Sequence, residues 1–589
     1  MAKTIKKSVK KSAGSRPAKK KAAKKAAKKV AKKTKKKAAK KTAAKKTKKA
    51  KKKSKAKAVR KKAATKKKPA VPSSGDAGAP LSAMQPPKSG VKVRMYRHGH
   101  GDCFLLAFPG AQGEPVYVLI DCGYKPGSNV EYGLADIDTI VKHIAASTNN
   151  RLDLVVVTHE HQDHVNGFGK AGSSEFDPIA MGEAWFAWTE SPTDKLAIEL
   201  RRRHGDQLLG LVAARNQLAA NNNSNATDID ELLQLELGVQ NPHQFAAAAA
   251  AKKKDPNDSV NKQGMKLIKD KAGAQNIRYI LPHQEDLRIP GVDNVRVYAF
   301  GPPHDADLLK DEDPKGSEAF PGHGLDARRA SFFAAASAEE DSEDIAAIQP
   351  FPRRFAIPRN DAFTHEAYGD FFKRRYGGDK MPVVRAAREG EAADNAEWRR
   401  IDNDWLSSAE ELALVLNKGI NNTSLVLAFE LEKSNKVLLF IGDAQRGNWK
   451  SWTTHKTEGD KTALVRDLLA RTVLYKVGHH GSHNATLNGT TDTEYPCLAW
   501  MGQGGNADEF TAMITAVNEW AIHVKPKPWI HPLPSIKKAL QEKTSGRLFQ
   551  IDTPTLKKPD KVSTSAWKDF MSRVTIDPDG LFFDYEVHD

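Results

Sequence analysis

One seven-residue stretch constrains this chain more than any other feature of its sequence. It reads Thr158-His159-Glu160-His161-Gln162-Asp163-His164 and directly follows residues 154–157, an apolar run that is typical of a buried strand. His159 and His161 are spaced to bind one metal ion, and Asp163 and His164 can reach a second ion beside it. Imidazole and carboxylate ligands together suit Zn²⁺, Mn²⁺ or Fe²⁺. The stretch therefore predicts a metal site at the end of a strand.

Residues that can complete such a site follow other apolar runs of strand length. They are Asp121, Asp443 and the pair His479-His480. From its position Asp121 can orient the histidine loop without touching a metal. Asp443 can bridge two metal ions, and the histidine pair can close the site. The alternative, a solvated His-rich turn, does not explain why these elements come in this order.

Together the motifs resemble the metallo-β-lactamase fold superfamily over about residues 91–190 and 420–545. Within it they are most similar to the soluble nuclease-like domain of ComEC-type DNA-uptake proteins and to the phosphorylcholine esterases. The stretches that carry this similarity are Gly99-His100-Gly101-Asp102, Asn421-Asn422-Thr423-Ser424, Leu439-Phe440-Ile441-Gly442-Asp443, Lys476-Val477-Gly478-His479-His480-Gly481-Ser482 and Trp529-Ile530-His531-Pro532. The resemblance implies an α/β fold, an αβ/βα sandwich with a two-metal site at one rim.

The resemblance also implies a role for each residue of the motifs. His159 and His161 hold the first metal ion, Asp163 and His164 hold the second, and Asp443 bridges them. His480 is preferred over His479 as the last ligand, and His479 then faces the substrate. Lys476 either supports developing negative charge or is a solvated strand lysine. Asp163, Asp443, Lys476 and His479 form the predicted catalytic set.

The sequence departs from the superfamily pattern at one position. Many members supply another histidine about twenty residues before the bridging aspartate, where this chain has Asn421-Asn422. We expect Asn422 to support the site from behind the ligands. The prediction is two divalent ions, Zn²⁺ or Mn²⁺. Because an amide oxygen is a weaker ligand than imidazole, one of them is expected to be incompletely coordinated, exchangeable, or an ion other than Zn²⁺.

The net positive charge of the chain comes entirely from its first 70 residues. They contain 35 of the 94 Lys and Arg residues and no Asp or Glu, so the other 519 residues carry 59 basic and 71 acidic side chains. We expect residues 1–69, a Lys/Ala array, to be disordered because they offer almost nothing to bury. The array resembles the tails of linker-histone-like proteins and predicts sequence-independent binding of nucleic acid. A merely solubilising segment is the alternative.

Composition also divides the rest of the chain. Residues 70–90 have the composition of a linker, and residues 91–589 form the predicted hydrolase domain, with an insertion at about 191–415. No apolar run approaches the roughly 18 residues of a membrane span, and the N-terminus lacks the apolar core of a secretory signal. The three cysteines do not form a disulfide scaffold. These features predict a cytoplasmic, nucleoid-associated protein that does not enter a membrane.

Three functions are compatible with the sequence. The first is a binuclear metal-dependent phosphodiesterase or nuclease that uses a metal-bridging hydroxide and is tethered to nucleic acid by its basic segment. The second is a metallo-hydrolase of a small-molecule ester of phosphocholine or lactone type. The third is a nucleoid-associated DNA-binding protein with a vestigial hydrolase body.

Trp185 and Trp188 are predicted to be core residues, with a base-stacking surface as the alternative.

Overall fold

The structure is a computed structural model of the 589-residue chain. It describes residues 83–169, 173–220, 229–230, 233, 259–321, 363–376, 420–455, 459–524 and 528–589. The predicted tail at 1–69 and most of the predicted linker lie outside these residues. The last part of the linker packs on the body, since Met84 is buried and its backbone nitrogen donates to Ser147 (2.7 Å).

The strands among the described residues are β1 (Gly90–Tyr96), β2 (Cys103–Pro109), β3 (Pro115–Cys122), β4 (Arg151–Val157), β5 (Ala180–Ala187), β6 (Ile277–Ile280), β7 (Val295–Gly301), β8 (Val426–Leu431), β9 (Lys436–Phe440), β10 (Thr454–His455), β11 (Gly459–Asp460), β12 (Thr472–Lys476), β13 (Thr511–Ile514), β14 (Leu548–Gln550), β15 (Val574–Ile576) and β16 (Phe582–His588).

The α-helices are α1 (Ile137–Ser147), α2 (Gln162–Val165), α3 (Lys195–Ala220), α4 (Val260–Ala272), α5 (Ala306–Leu309), α6 (Gly369–Tyr376), α7 (Arg446–Ser451), α8 (Thr462–Ala470), α9 (Asn518–Ala521), α10 (Pro534–Lys543) and α11 (Thr564–Ser572). Short 3₁₀ helices cover Val130–Tyr132, Ser173–Phe176, Trp188–Glu190, Ala274–Asn276, Gly316–Glu318, Gly478–Gly481, Leu498–Trp500 and Gly504–Asp508.

The main strands form two mixed sheets, and the fold is α/β. The first sheet has the order β15-β16-β1-β2-β3-β4-β5-β6, and the second has the order β14-β13-β12-β9-β8-β7. Within the first sheet β3, β4, β5 and β6 are parallel. Within the second, β9, β12, β13 and β14 are parallel. Parallel neighbours end at the same edge of a sheet, so the loops after β3 and β4, and those after β9 and β12, are adjacent.

Strand β2 shows why the sequence is apolar on both faces of these sheets. Phe104 and Leu106 join an apolar cluster that also contains Leu427 and Leu438 of the second sheet. Leu105, from the alternate position, joins a different cluster with side chains of α1 and α4. Because successive side chains point to opposite faces, both faces of β2 are buried. A third cluster packs α8 and α10 on the second sheet.

Helix α1 follows from its local sequence. The Asp136 side chain accepts a hydrogen bond from the backbone nitrogen of Thr139 (2.8 Å) and caps the first turn. Ile137, Ile140 and Ile144 recur at helical spacing and are buried. The helix leads directly into β4, which ends at the histidine-rich stretch.

The strand predicted before the histidine loop is confirmed as β4. Apolar runs at residues 295–300, 424–431, 437–441, 574–576 and 581–587 also predict strands, and the structure has strands at each of these places. The stretch at about 191–415, predicted as an insertion, contributes strands to both sheets of the body. Its described part contributes β6 to the first sheet and β7 to the second. Composition alone cannot show this, because a strand at a sheet edge has the same local pattern wherever it pairs.

None of the helices in the described ranges is both long and apolar enough to cross a lipid bilayer.

Candidate metal centre

Four buried side chains converge where the two sheets end. Asp163, His164, Asp443 and His480 each offer a ligand atom, and these atoms all lie within 4.8 Å of one another. We call these four residues the metal-capable group. Two carboxylates and two imidazoles form a donor set that suits a divalent transition-metal ion, so the group could hold a metal ion.

The group is assembled from loops that follow three strands. Asp163 and His164 lie on α2, immediately after β4. Asp443 follows β9, and His480 lies in the Gly478–Gly481 turn after β12. Each side chain comes from the carboxyl end of a buried strand, which is why the motifs in the sequence follow apolar runs.

The contacts within the group are short. His164 Nε2 lies 3.3 Å from Asp443 Oδ2, and His480 Nε2 lies 3.6 Å from the same oxygen. His480 Nε2 also lies 3.1 Å from Asp163 Oδ2. Both imidazoles therefore present Nε2 to the carboxylates, and His164 Nε2 and Asp163 Oδ1 have no hydrogen-bond partner in the described part of the chain. Buried ligand atoms that make no hydrogen bond are expected where a site receives a metal ion.

Asp121 fixes the orientation of His164. Its Oδ2 accepts from His164 Nδ1 (2.8 Å) and from the Thr158 hydroxyl (2.7 Å), and its Oδ1 accepts from the Thr158 backbone nitrogen (2.8 Å). Because Nδ1 bonds to Asp121, Nε2 is the ring nitrogen that faces Asp443. The carboxylate thus plays the orienting part that the sequence suggested for it, as carboxylates beside metal-binding histidines commonly do.

Asp102 plays the corresponding part for His480, which the sequence analysis missed. Thr515 Oγ1 donates to Asp102 Oδ1 (2.6 Å) and lies 3.0 Å from His480 Nδ1. The threonine hydroxyl can accept from Nδ1 while it donates to the carboxylate, which again leaves Nε2 facing the group. The one sequence signal was the Gly99-His100-Gly101-Asp102 stretch, whose residue roles the motif does not state.

Lys476 points into the protein. It is 1 % exposed, forms an ion pair with Asp102, donates to the Gly442 carbonyl (2.9 Å) and lies 3.6 Å from Asp443 Oδ1. Burial lowers the pKa of Lys476, but Asp102 and Asp443 outweigh this and raise it above its ordinary value. This placement differs from a solvated strand lysine, and it makes Lys476 a positioning residue for the two aspartates.

Lys125 is a second buried cation that the sequence did not indicate. It is 4 % exposed, and its Nζ lies 3.6 Å from Asp163 Oδ1. Burial raises the pKa of Asp163, but Lys125 and His480 outweigh it and hold the pKa well below its usual range. No motif points to Lys125, because a single lysine in a loop carries no pattern.

The two adjacent histidines after β12 take different positions. His480 belongs to the metal-capable group, whereas His479 lies outside it. His479 Nδ1 lies 3.2 Å from Asn484 Oδ1, and burial lowers the pKa of His479 to about 4. Both residues have positive φ angles, 42° and 54°, so the turn holds them in an uncommon backbone conformation. The preference for His480 as ligand agrees with this arrangement.

His159 and His161 lie beside the group but not within it. Their ring centroids are 4.7 Å apart, and His159 Nε2 lies 3.0 Å from His161 Nδ1. The ring of His159 also lies 4.1 Å from that of His164. The pKa of His159 lies well below its ordinary value. Burial is the largest cause, and the nearby imidazoles of His164 and His161 lower it further. His159 is therefore neutral, the form in which imidazole binds a metal.

Asn421 and Asn422, at the place where many superfamily members have a histidine, make different contacts. Asn421 Oδ1 is buried without a hydrogen-bond partner among the described residues, and Asn421 Nδ2 lies 3.4 Å from His479 Nε2. Asn422 instead accepts from the Gln445 backbone nitrogen (3.0 Å) and donates to the Leu309 carbonyl (3.1 Å). Asn422 therefore braces the loop after Asp443, while Asn421 turns toward the histidines.

The electrostatics favour a positive charge at the centre of the group. Burial lowers the pKa of His164, but Asp443, Asp102 and Asp121 raise it well above its ordinary value. Burial likewise opposes ionisation of Asp443, but His164, His480 and His479 lower its pKa well below the usual range. The surroundings thus stabilise a cation between two carboxylates, a condition that a divalent ion also meets.

Residues 305–321 belong to the predicted insertion and contact the residues that follow Asp443. We call residues 305–321 the strap. Arg446, three residues after Asp443, forms ion pairs with Asp311 and Glu318 of the strap. The Asp311 carbonyl accepts from the Gly447 backbone nitrogen (2.6 Å). A Cβ added at Gly447 would lie 1.8 Å from the Leu308 carbonyl oxygen, so only glycine permits this approach.

The aromatic pair after β5 is part of the core. Trp185 and Trp188 are 0 % and 1 % exposed. Trp188 Nε1 donates to the Pro302 carbonyl (3.0 Å). The prediction of a core role is confirmed, and the base-stacking alternative is excluded for these two residues.

No protein-family model matches this sequence, and the search of curated proteins finds no significant match either.

Proposed function

We propose that this chain is a binuclear metal-dependent hydrolase of the metallo-β-lactamase fold that cleaves the phosphodiesters of nucleic acid. The observation that carries the proposal is the metal-capable group, four buried ligands brought together after three strands. The motifs of residues 158–164, 442–443 and 476–482 support the assignment to the superfamily. The Lys/Ala array of residues 1–69 supports a polyanionic substrate.

We extend the proposal to the architecture, an αβ/βα sandwich. An apolar cluster shared by both sheets supports it, as do the helices α1 and α4 on the first sheet and α8 and α10 on the second. In such an arrangement the ends of the parallel strands from both sheets meet at one rim, which is where Asp163 and Asp443 lie.

The proposed ions are two, Zn²⁺ or Mn²⁺. Asp163, His164, Asp443 and His480 would hold one ion, and His159 and His161 would supply ligands for the other, with Asp443 between them. Asn421 Oδ1, which is buried without a hydrogen-bond partner among the described residues, is a further candidate oxygen ligand. When bound, the ions would supply Lewis acidity, which lowers the pKa of water and stabilises charge on a phosphoryl group.

The protein's own residues set up this chemistry. Asp121 and Thr515 hold the Nδ1 protons of His164 and His480, so both Nε2 atoms stay available. Ser424 Oγ accepts from the Asp443 backbone nitrogen (2.9 Å) and fixes the loop that carries this carboxylate. Lys476 and Lys125 balance the buried negative charge of Asp443 and Asp163.

The test compares wild type with Asp443→Asn, which keeps the shape of the side chain and removes its charge. Each protein is incubated with single-stranded DNA, double-stranded DNA, RNA and bis(p-nitrophenyl) phosphate in Zn²⁺ or Mn²⁺, and its metal content is measured. We expect wild type to bind two ions and to cleave polymer, and the variant to lose at least about 100-fold in rate, the scale on which removing one stabilising group at a reacting centre acts.

Asp569→Asn is the matched control, because Asp569 is 77 % exposed on α11. It should bind metal and cleave as wild type does. Turnover of the small ester alone would favour the small-molecule hydrolase, and tight DNA binding without metal or turnover would favour the vestigial binder. Either result would overturn the nuclease proposal.

A further inference from the structure

A row of aromatic rings runs outward from the metal-capable group. The ring of His480 lies 4.5 Å from that of His100, measured between centroids. His100 in turn lies 5.0 Å from Trp520 and 6.0 Å from Trp529, and the two indoles meet edge to face at 5.5 Å and 90°. His531 stacks on His100 at 5.4 Å. We call His100, Trp520, Trp529 and His531 the ring row.

The ring row changes from buried to exposed along its length. His100 is fully buried beside His480, whereas Trp520, Trp529 and His531 are half-buried. Ile530, between the last two, is 53 % exposed. The outer indoles therefore present aromatic surface to solvent, unlike the fully buried Trp185 and Trp188. The row connects that surface to the metal-capable group through one intervening ring.

A positive charge lies beside the row. Lys125 Nζ lies 5.4 Å from the centroid of Trp529 and 3.6 Å from Asp163 Oδ1. The site thus places ring faces next to a cation and the metal-capable group, an arrangement that matches a base next to a phosphate.

We propose that Trp520 and Trp529 form a stacking surface for a nucleobase whose neighbouring phosphodiester lies at the metal-capable group. This inference rests on the proposed function and narrows it to unpaired nucleic acid. Every base has a π-face that stacks on an aromatic side chain, and that face is covered in a duplex. The basic array of residues 1–69 contains no aromatic residue, so it attracts phosphates without contacting bases. The ring row supplies the contact that the array lacks.

The experiment measures binding of labelled oligonucleotides by full-length Asp443→Asn, whose cleavage is impaired. The probes are a ten-residue oligothymidylate and an abasic oligomer with the same number of phosphates. Stacking is worth about 1–3 kcal/mol per base, so we expect the base-containing probe to bind about 5- to 150-fold more tightly. Adding Trp529→Ala should reduce this ratio toward one and leave the affinity for the abasic probe unchanged.

Two further variants keep the result interpretable. Trp529→Phe retains an aromatic face and should retain most of the ratio, which separates stacking from a folding defect. Tyr368→Ala removes a ring that is 59 % exposed outside the row and should change nothing. A ratio near one in the parent protein, or a ratio that Trp529→Ala leaves intact, would overturn the stacking surface.

The design separates this inference from the proposed function. The binding ratio is measured without turnover. A base preference in Asp443→Asn, together with a wild-type protein that cleaves no substrate, would overturn the proposed function alone. Metal-dependent cleavage without a base preference would overturn the stacking surface alone. A duplex probe, whose base faces are covered, should bind equally well with and without the Trp529→Ala substitution.

Discussion

His164 shows how few atoms decide whether a histidine can serve as a ligand. Its Nδ1 bonds to Asp121 Oδ2 at 2.8 Å, which fixes the orientation of the ring. In that orientation its Nε2 faces Asp443. The sequence predicted this residue and its partner because both follow apolar runs. It assigned no role to Asp102, which lies in a motif whose residue roles are not stated, and it could not predict Lys125 or Thr515, which lie in no motif. Their roles depend on tertiary contacts between residues far apart in the chain.

Lys476→Met should destabilise the protein rather than act on the substrate. The substitution leaves Asp102 and Asp443 buried without their ammonium partner, and breaking a buried pair in this way costs about 3–5 kcal/mol. The measurement is urea unfolding of metal-depleted protein. Lys538→Met, at a lysine that is 76 % exposed, is the control and should stay within about 0.5 kcal/mol of wild type.

The opposite pattern would also be informative. If Lys476→Met unfolds at the same urea concentration as wild type and loses only turnover, the ammonium acts on the reacting group. In that case its contacts with Asp102 and Gly442 are not its main role, and the sequence-based interpretation of Lys476 is the better one.

His143 should make the protein less stable in acid. Burial, followed by Arg94, lowers its pKa to about 4, below the value near 6.5 of an unfolded chain. Both states are neutral above pH 6.5, so stability is complete there. As the pH falls from 6.5 to 4 the unfolded state takes up the proton first, and a contribution on the order of 2–3 kcal/mol is lost.

His143→Gln removes this titration while it keeps a polar side chain beside Tyr96, whose hydroxyl lies 3.1 Å from His143 Nδ1. The unfolding free energy of the variant, measured by denaturant between pH 4 and 7, should fall less steeply than that of wild type. His588→Gln, at a side chain that is 55 % exposed, is the control. Equal slopes in His143→Gln and wild type would contradict the assignment.

At the scale of elements, the sequence predicts strands better than it predicts their neighbours. Apolar runs identify β3, β4, β8 and β9, because both faces of these strands are buried. The partners of β6 and β7 depend on contacts across the predicted insertion, and no local pattern encodes them. The same limit applies to the strap, whose charged residues have the composition of an exposed loop although Glu318 is buried.

Arg446→Ala should loosen the strap. The substitution removes the ion pairs to Asp311 and Glu318, and it leaves the partly buried carboxylates without their main partner. We expect faster hydrogen exchange in residues 305–321 and, because Arg446 follows the Asp443 loop, a several-fold weaker affinity for metal. Exchange measured by mass spectrometry, with chelator competition for the metal, checks both effects.

Arg203→Ala is the matched control for the strap, since Arg203 is 53 % exposed and pairs with Glu199 within one helix. Exposed pairs of this kind contribute little to stability. Unchanged exchange in the strap of Arg446→Ala would mean that the backbone contacts at Asp311 and Gly447 hold it without the ion pairs.

For the whole molecule, charge separates the chain into a basic segment and a body with net charge near −12. Deleting residues 1–82 should weaken DNA binding and flatten its salt dependence, because each phosphate that the protein neutralises adds about −0.9 to the log–log slope. Titrations between 50 and 200 mM salt measure both quantities. A deletion variant with an unchanged slope would show that the body carries the phosphate contacts, and chloride and glutamate buffers serve as a control for specific anion effects.

The pairing of β1 with β16 has a consequence for how the chain is made. Arg94 on β1 bonds to Asp584 on β16, 490 positions later. At ordinary rates of synthesis, about 5–20 residues per second, β1 waits roughly 25–100 s for that partner. During this interval β1 has an open edge in the nascent chain, and the 35 cations of residues 1–70 have already left the ribosome. The basic segment is thus free to meet polyanions well before the body beside it can close.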